Sequence, residues 1–104
     1  MIMRHWSGAT TKENAKAYLD HLRQDTFPKL KGIEGFVEAQ VLSRDHDGDV
    51  EFIVLTKWRS MEAIHKFAGE NPNVAVVPDA ARAVLKSYDT KVRHYNVALD
   101  AGIK

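Results

Sequence analysis

The chain has 104 residues, a formal net charge of +1 and no cysteine. That length predicts one domain spanning residues 1–104, large enough to bury a core without staples. The composition excludes disulfides, thiolate metal sites and a cysteine nucleophile, and the near-neutral charge asks for neither nucleic acid nor an anionic membrane as partner.

Residues 1–7 read as a short strand, with Met1, Met3 and His5 on one face and Ile2, Arg4 and Trp6 on the other. No basic segment followed by an apolar core precedes it, so no secretory leader is expected, and no apolar run approaches a membrane span. The cytoplasm is the expected location. Thr10-Thr11-Lys12-Glu13 has the form of a capping box with Thr10 as N-cap. Ala15, Tyr18, Leu19 and Leu22 then form the apolar stripe of an amphipathic helix, with Lys12, Lys16, Asp20 and Arg23 opposite. Pro28 ends that helix or starts a new turn, and residues 29–35 are a connector.

Residues 36–42 alternate as a second strand, Phe36, Glu38, Gln40 and Leu42 against Val37, Ala39 and Val41. Asp47-Gly48 predicts a tight hairpin turn; the neighbouring aspartates lack the glycine and glutamate spacing of a calcium loop. The next strand reaches Trp58 and is apolar on both faces, Phe52, Val54 and Trp58 against Ile53 and Leu55. Ser60 is positioned to cap a helix bearing Ala63, Ile64, Phe67 and Ala68, which Gly69 stops. Pro78-Asp79 opens a further helix with Ala80, Ala83, Val84 and Ser87 on one face. Residues 91–98 form a last strand, and residues 100–104 a frayed tail.

This order, βαββαβ, predicts an α+β, ferredoxin-like fold: one antiparallel sheet with the main helices on one face. The strands are apolar on both faces, so the face without helices needs a cover. A second copy of the chain supplies it, which predicts a homodimer.

Residues 52–69, Phe-Ile-Val-Leu-Thr-Lys-Trp-Arg-Ser-Met-Glu-Ala-Ile-His-Lys-Phe-Ala-Gly, resemble the antibiotic biosynthesis monooxygenase family of small dimeric α+β barrels. So do Met-Ile-Met-Arg-His-Trp at residues 1–6 and Val-Arg-His-Tyr-Asn-Val at residues 92–97. The resemblance implies a ligand pocket between sheet and helices. Cofactor-free oxygenases of the family let the substrate's own anion react with oxygen; haem-degrading relatives use a first-strand asparagine, a helix tryptophan and an iron-binding histidine. Here the first asparagine is Asn14, the tryptophan position holds Phe67, and no histidine lies between His65 and His94.

Three functions stay open. The first is a cofactor-independent monooxygenase acting on a small aromatic or quinol-like molecule. The second is a haem-binding or haem-degrading protein using His5, His65 or His94. The third is a non-catalytic dimeric module that binds a small molecule. For the first, Arg4, His94 and Tyr95 are the catalytic candidates, and Trp6, Trp58 and Phe67 shape the ligand pocket; no metal or other cofactor is expected. Arg4 carries a fixed charge among apolar neighbours and must find either a protein carboxylate or an anionic ligand. His5 and His94, on strands expected to be neighbours, invite a comparison with a metal or proton-shuttle pair, but packing at the dimer interface accounts for them more simply. His21 and His46 are expected in solvent, as is His65.

Overall fold

The computed structural model describes residues 1–102. Its elements are β1 (Ile2–Thr11), α1 (Lys12–His21), a π-helical turn (Leu22–Thr26), α2 (Phe27–Lys31), β2 (Phe36–His46), β3 (Asp49–Trp58), α3 (Met61–Ala68), α4 (Asp79–Arg82), β4 (Ser87–Tyr88) and β5 (Arg93–Asn96). The sheet is antiparallel throughout, in the order β2-β3-β1-β4, with β5 also on the free edge of β1. This is the ferredoxin-like arrangement expected from the element order.

The hairpin between β2 and β3 turns on Asp47 and Gly48, both with positive φ, the requirement of a two-residue turn that follows the strand twist. The strict alternation expected in β2 is interrupted. The register shifts between Phe36 and Glu38, so Phe36 joins Ala39 and Val41 on the helix side, its ring 5.3 Å from that of Trp58.

The expected cap at Thr10 is displaced by one residue. Thr11 accepts from Asn14 N at 3.2 Å, whereas the Thr10 hydroxyl is buried and donates to Val84 O. β1 therefore extends through Gly8 and Ala9, where the sequence suggested it would close. Gly8 makes room for Trp6: a Cβ there would lie 2.5 Å from Cη2 of the indole. Ser60 caps α3 as expected, accepting from Ala63 N at 3.2 Å.

α4 is shorter than expected and buries Ala81, not Ala80 or Ala83; Ser87 is already in a strand. The single last strand is split. β4 pairs with Gly8 and Ala9, β5 with residues 2–5, and the chain leaves the sheet edge between them. Of the tail, residues 100–102 lie outside any helix or strand, with Asp100 3.3 Å from Lys57; residues 103–104 lie outside the described residues.

All the helices sit on one sheet face. One core cluster joins Tyr18, Leu22, Phe52 and Ala81, and a second joins Leu30, Trp58, Ala63 and Ile64. The opposite face carries Met3, His5, Ile53 and Leu55, all partly exposed, with no helix among the described residues packed on it, beside Leu42 and Tyr95, which are half exposed. No helix among the described residues is long and apolar enough to cross a membrane.

Candidate functional site

Between the sheet and the helices lies a cavity of about 70 Å³. Its floor is the β1–β3 ladder, where Arg4 stands opposite Thr56 and Trp6 opposite Val54. α1 and the π-helical turn supply Tyr18, His21, Leu22 and Thr26, and α3 supplies Phe67. The segment Val76, Val77 and Pro78 straps the remaining side.

Arg4 is the charged group of the cavity and is only 4% exposed. Its guanidinium donates to Pro72 O and, at 3.2 Å, to Val74 O, and Nη1 lies 2.9 Å from His94 Nε2. Its Cζ sits 5.7 Å from the centre of the Phe67 ring, a cation–π contact. Among the described residues no carboxylate pairs with it. Burial pushes its pKa down to about 10, so it stays charged at neutral pH with only neutral partners.

The other sequence candidates separate. Trp6 lines the cavity, and its Nε1 donates to Asp89 O at 2.9 Å. Trp58 does not line it: it is fully buried beneath Phe67, ring centres 5.9 Å apart, donating from Nε1 to Thr56 Oγ1. His94 stands opposite Arg4 in the ladder, outside the cavity lining, touching it through the guanidinium. Alternation along β5 puts Tyr95 on the other face, half exposed, edge-on to His5 at 6.4 Å. The same alternation separates His5 from His94, so they form no metal pair. Among the described residues, no three His, Cys, Asp or Glu side chains are placed to hold a metal.

Two residues in the cavity wall were not among the sequence candidates. Tyr18 is 2% exposed and reads from sequence as part of a core stripe. His21, expected in solvent, is half-buried and lines the cavity, Nε2 3.4 Å from Thr26 Oγ1 and 3.9 Å from the Asp25 carboxylate. The signal for both was helical spacing: His21 follows Tyr18 by three residues and adjoins Leu22, so it shares the buried face.

The sequence profile of the antibiotic biosynthesis monooxygenase family matches residues 1–75. The chain belongs to this family. No curated protein matches the chain. Among solved structures it is similar to a Bacillus cereus protein described as an antibiotic biosynthesis monooxygenase (16% identity, 100% of this chain and 97% of the other, TM-score 0.71). It is similar to SnoaB, a cofactor-independent oxygenase from Streptomyces nogalater (20% identity, 95% of each chain, TM-score 0.62). It is also similar to the haem degrader MhuD from Mycobacterium tuberculosis, solved with two haems in its active site (19% identity, 98% of this chain and all of the other, TM-score 0.59). At these identities the likeness speaks for the fold.

None of the histidines expected as iron ligands, His5, His65 or His94, lines this cavity. Of the histidines named for iron, His94 has its Nε2 against Arg4, His5 lies on the other sheet face, and exposed His65 has Nδ1 2.8 Å from Gly69 O.

Proposed function

We propose that this protein is a cofactor-independent monooxygenase acting on a small aromatic, quinol-like substrate. The observation that carries the reading is Arg4: a buried cation on the wall of an otherwise largely apolar cavity, with no carboxylate partner among the described residues. Such a charge favours the ionised form of a phenol or enol beside it. Family membership and the likeness to a cofactor-independent oxygenase support the same chemistry.

The reaction balances on substrate and dioxygen alone. Naphthohydroquinone loses a proton to form its anion, with Arg4 holding the oxyanion and His21 placed to take the proton. One electron passes to dioxygen, giving a ring-delocalised radical and superoxide. Their recombination forms a carbon–oxygen bond in a hydroperoxide. Loss of the remaining proton on that carbon with cleavage of the oxygen–oxygen bond gives hydroxynaphthoquinone and water. One oxygen atom enters the ring, the other leaves as water, and the substrate supplies every electron. The apolar walls around Trp6, Val54 and Phe67 exclude water from the anion. A ring of this size enters by displacing the strap of Val76, Val77 and Pro78, which lies between α3 and α4 outside any helix or strand.

The reading includes a homodimer in the cytoplasm, the partner covering Ile53 and Leu55. The test is oxygen uptake with naphthohydroquinone under isotopically labelled dioxygen. The expected result is uptake above autoxidation with one labelled atom in the product, lost in Arg4→Met. Uptake no faster than without protein overturns the reading.

A further inference from the structure

Tyr18 is a core side chain whose ring the packing uses and whose hydroxyl it leaves without a partner among the described residues. Its ring is held between Trp6, centres 6.1 Å apart, and Phe52, centres 5.1 Å apart. Among the described residues its hydroxyl makes no hydrogen bond, and it is the most buried of the three phenols: Tyr88 is partly buried and Tyr95 half exposed. No fully buried side-chain nitrogen or oxygen among the described residues lacks a partner, so the Tyr18 hydroxyl is not sealed in. The residue is 2% exposed and lines the cavity. A phenylalanine would fill the same space without desolvating a hydroxyl.

The position of this group relative to Arg4 gives it a meaning. Along the ladder, Arg4–Thr56 is followed by Trp6–Val54 and then Gly8–Phe52. Arg4 stands one rung to one side of Trp6, about 7 Å along the strand, and Tyr18 packs over Trp6 and Phe52 on the other. A flat ring seated in the cavity between Arg4 and Tyr18 would have a guanidinium at one edge and the phenol residue at the other. Burial raises the pKa of the Tyr18 hydroxyl well above the usual phenol range, so it acts as a donor and not as a base.

We propose that Tyr18 is a specificity-determining anchor, its hydroxyl donating to an acceptor oxygen on the ring edge opposite the oxyanion held by Arg4. The ligand class is then an aromatic anion with a second, carbonyl-type oxygen across the ring. This rests on the reading that the cavity takes an aromatic anion at Arg4.

The test compares two ligands by calorimetry on wild type and Tyr18→Phe: hydroxynaphthoquinone, which has the far carbonyl, and naphthol, which lacks it. The expected result is about a tenfold loss of affinity for hydroxynaphthoquinone in Tyr18→Phe, the scale of one hydrogen bond, with naphthol unchanged and the melting temperature unchanged or raised. Equal losses for both ligands, no loss for hydroxynaphthoquinone, or no binding of either ligand to wild type overturns the anchor. A lowered melting temperature does so too, because it reveals a structural partner for the hydroxyl. Oxygenation is read separately: if hydroxynaphthoquinone binding depends on Tyr18 but naphthohydroquinone is not oxygenated, the anchor stands and the oxygenase reading falls.

Discussion

Arg4 Nη1 lies 2.9 Å from His94 Nε2, so two basic groups share a hydrogen bond. The guanidinium has only donors, which makes His94 Nε2 the acceptor and puts the imidazole proton on Nδ1. Burial, then the charge of Arg4, then that of His65 hold the pKa of His94 below the usual imidazole range. The neutral ring is therefore part of how the buried cation is satisfied.

This pair sets a pH dependence. The folded-state pKa of His94 lies below the unfolded value of about 6.5, so between the two the unfolded chain binds more protons. Stability is full above the unfolded value and is lost as pH falls through about 6.5 toward the folded value. Urea denaturation at several pH values should show this loss, and His94→Gln should flatten it. An NMR titration of the His94 ring should move up only part-way in Arg4→Met, because burial is the larger cause.

Arg4→Met should also cost about 1–3 kcal/mol of stability, since Pro72 O and Val74 O lose their donor. Arg4→Lys should not restore it, because one ammonium cannot reproduce the planar fork that reaches two carbonyls and an imidazole. Chemical denaturation of both variants checks this.

Most of the architecture was legible because burial on a strand has a period of two and on a helix about 3.6. The hairpin was legible from Asp47-Gly48, the α3 cap from Ser60, and the ferredoxin-like order from the succession of periods. What escaped was set by tertiary contacts. The bulge at β2 swings Phe36 onto Trp58, and no turn residue announces it. The break between β4 and β5 falls in Asp89-Thr90-Lys91-Val92, a run with neither glycine nor proline. Thr10 and Thr11 are equally good caps by type, and burial under Val84 decides between them. In the site, residue type singled out Arg4 as a charge in need of a carboxylate or an anion, but two carbonyls and His94 take its donors and no carboxylate among the described residues does; strand parity separates His94 from Tyr95, and Tyr18 passes for core because only a cavity distinguishes it.

Leu55→Asp places a charge on the uncovered sheet face, not in the chain's own core, where Leu55 is partly exposed. If two copies pair through that face, the variant should sediment as a folded monomer of about the chain mass of 11.7 kDa while wild type sediments as a dimer. Phe52→Ala is the contrast. Phe52 is 1% exposed on the helix side, and its truncation should cost about 3–5 kcal/mol.

Gly8→Ala should cost about 1–3 kcal/mol, because the added methyl lands on the Trp6 indole. The indole must move, weakening its bond to Asp89 O. Tryptophan fluorescence should shift to the red in the variant while Trp58, fully buried elsewhere, is unaffected.

Haemin titration should give no saturable Soret band at one haem per subunit. A sharp band lost on replacing His5, His21, His65 or His94 by alanine would put haem chemistry in place of quinol oxygenation.

Tyr18, Leu22, Thr26 and Leu30 all face the cavity, each four residues after the last. In a regular α-helix such a row drifts by about 40° at every step, so its ends would diverge by about 120°. The wider π-helical turn at Leu22–Thr26 takes up that drift and keeps the row in line. The wall is thus tuned by the number of residues as well as by their kind. Ordinary winding over the same number of residues would turn Leu30 about 120° away from Tyr18, whereas deleting one exposed residue such as Gln24 would leave eleven, about 20° from three whole turns, and keep Leu30 in the wall. That stretch of chain carries one residue more than an ordinary helix needs to build the same wall.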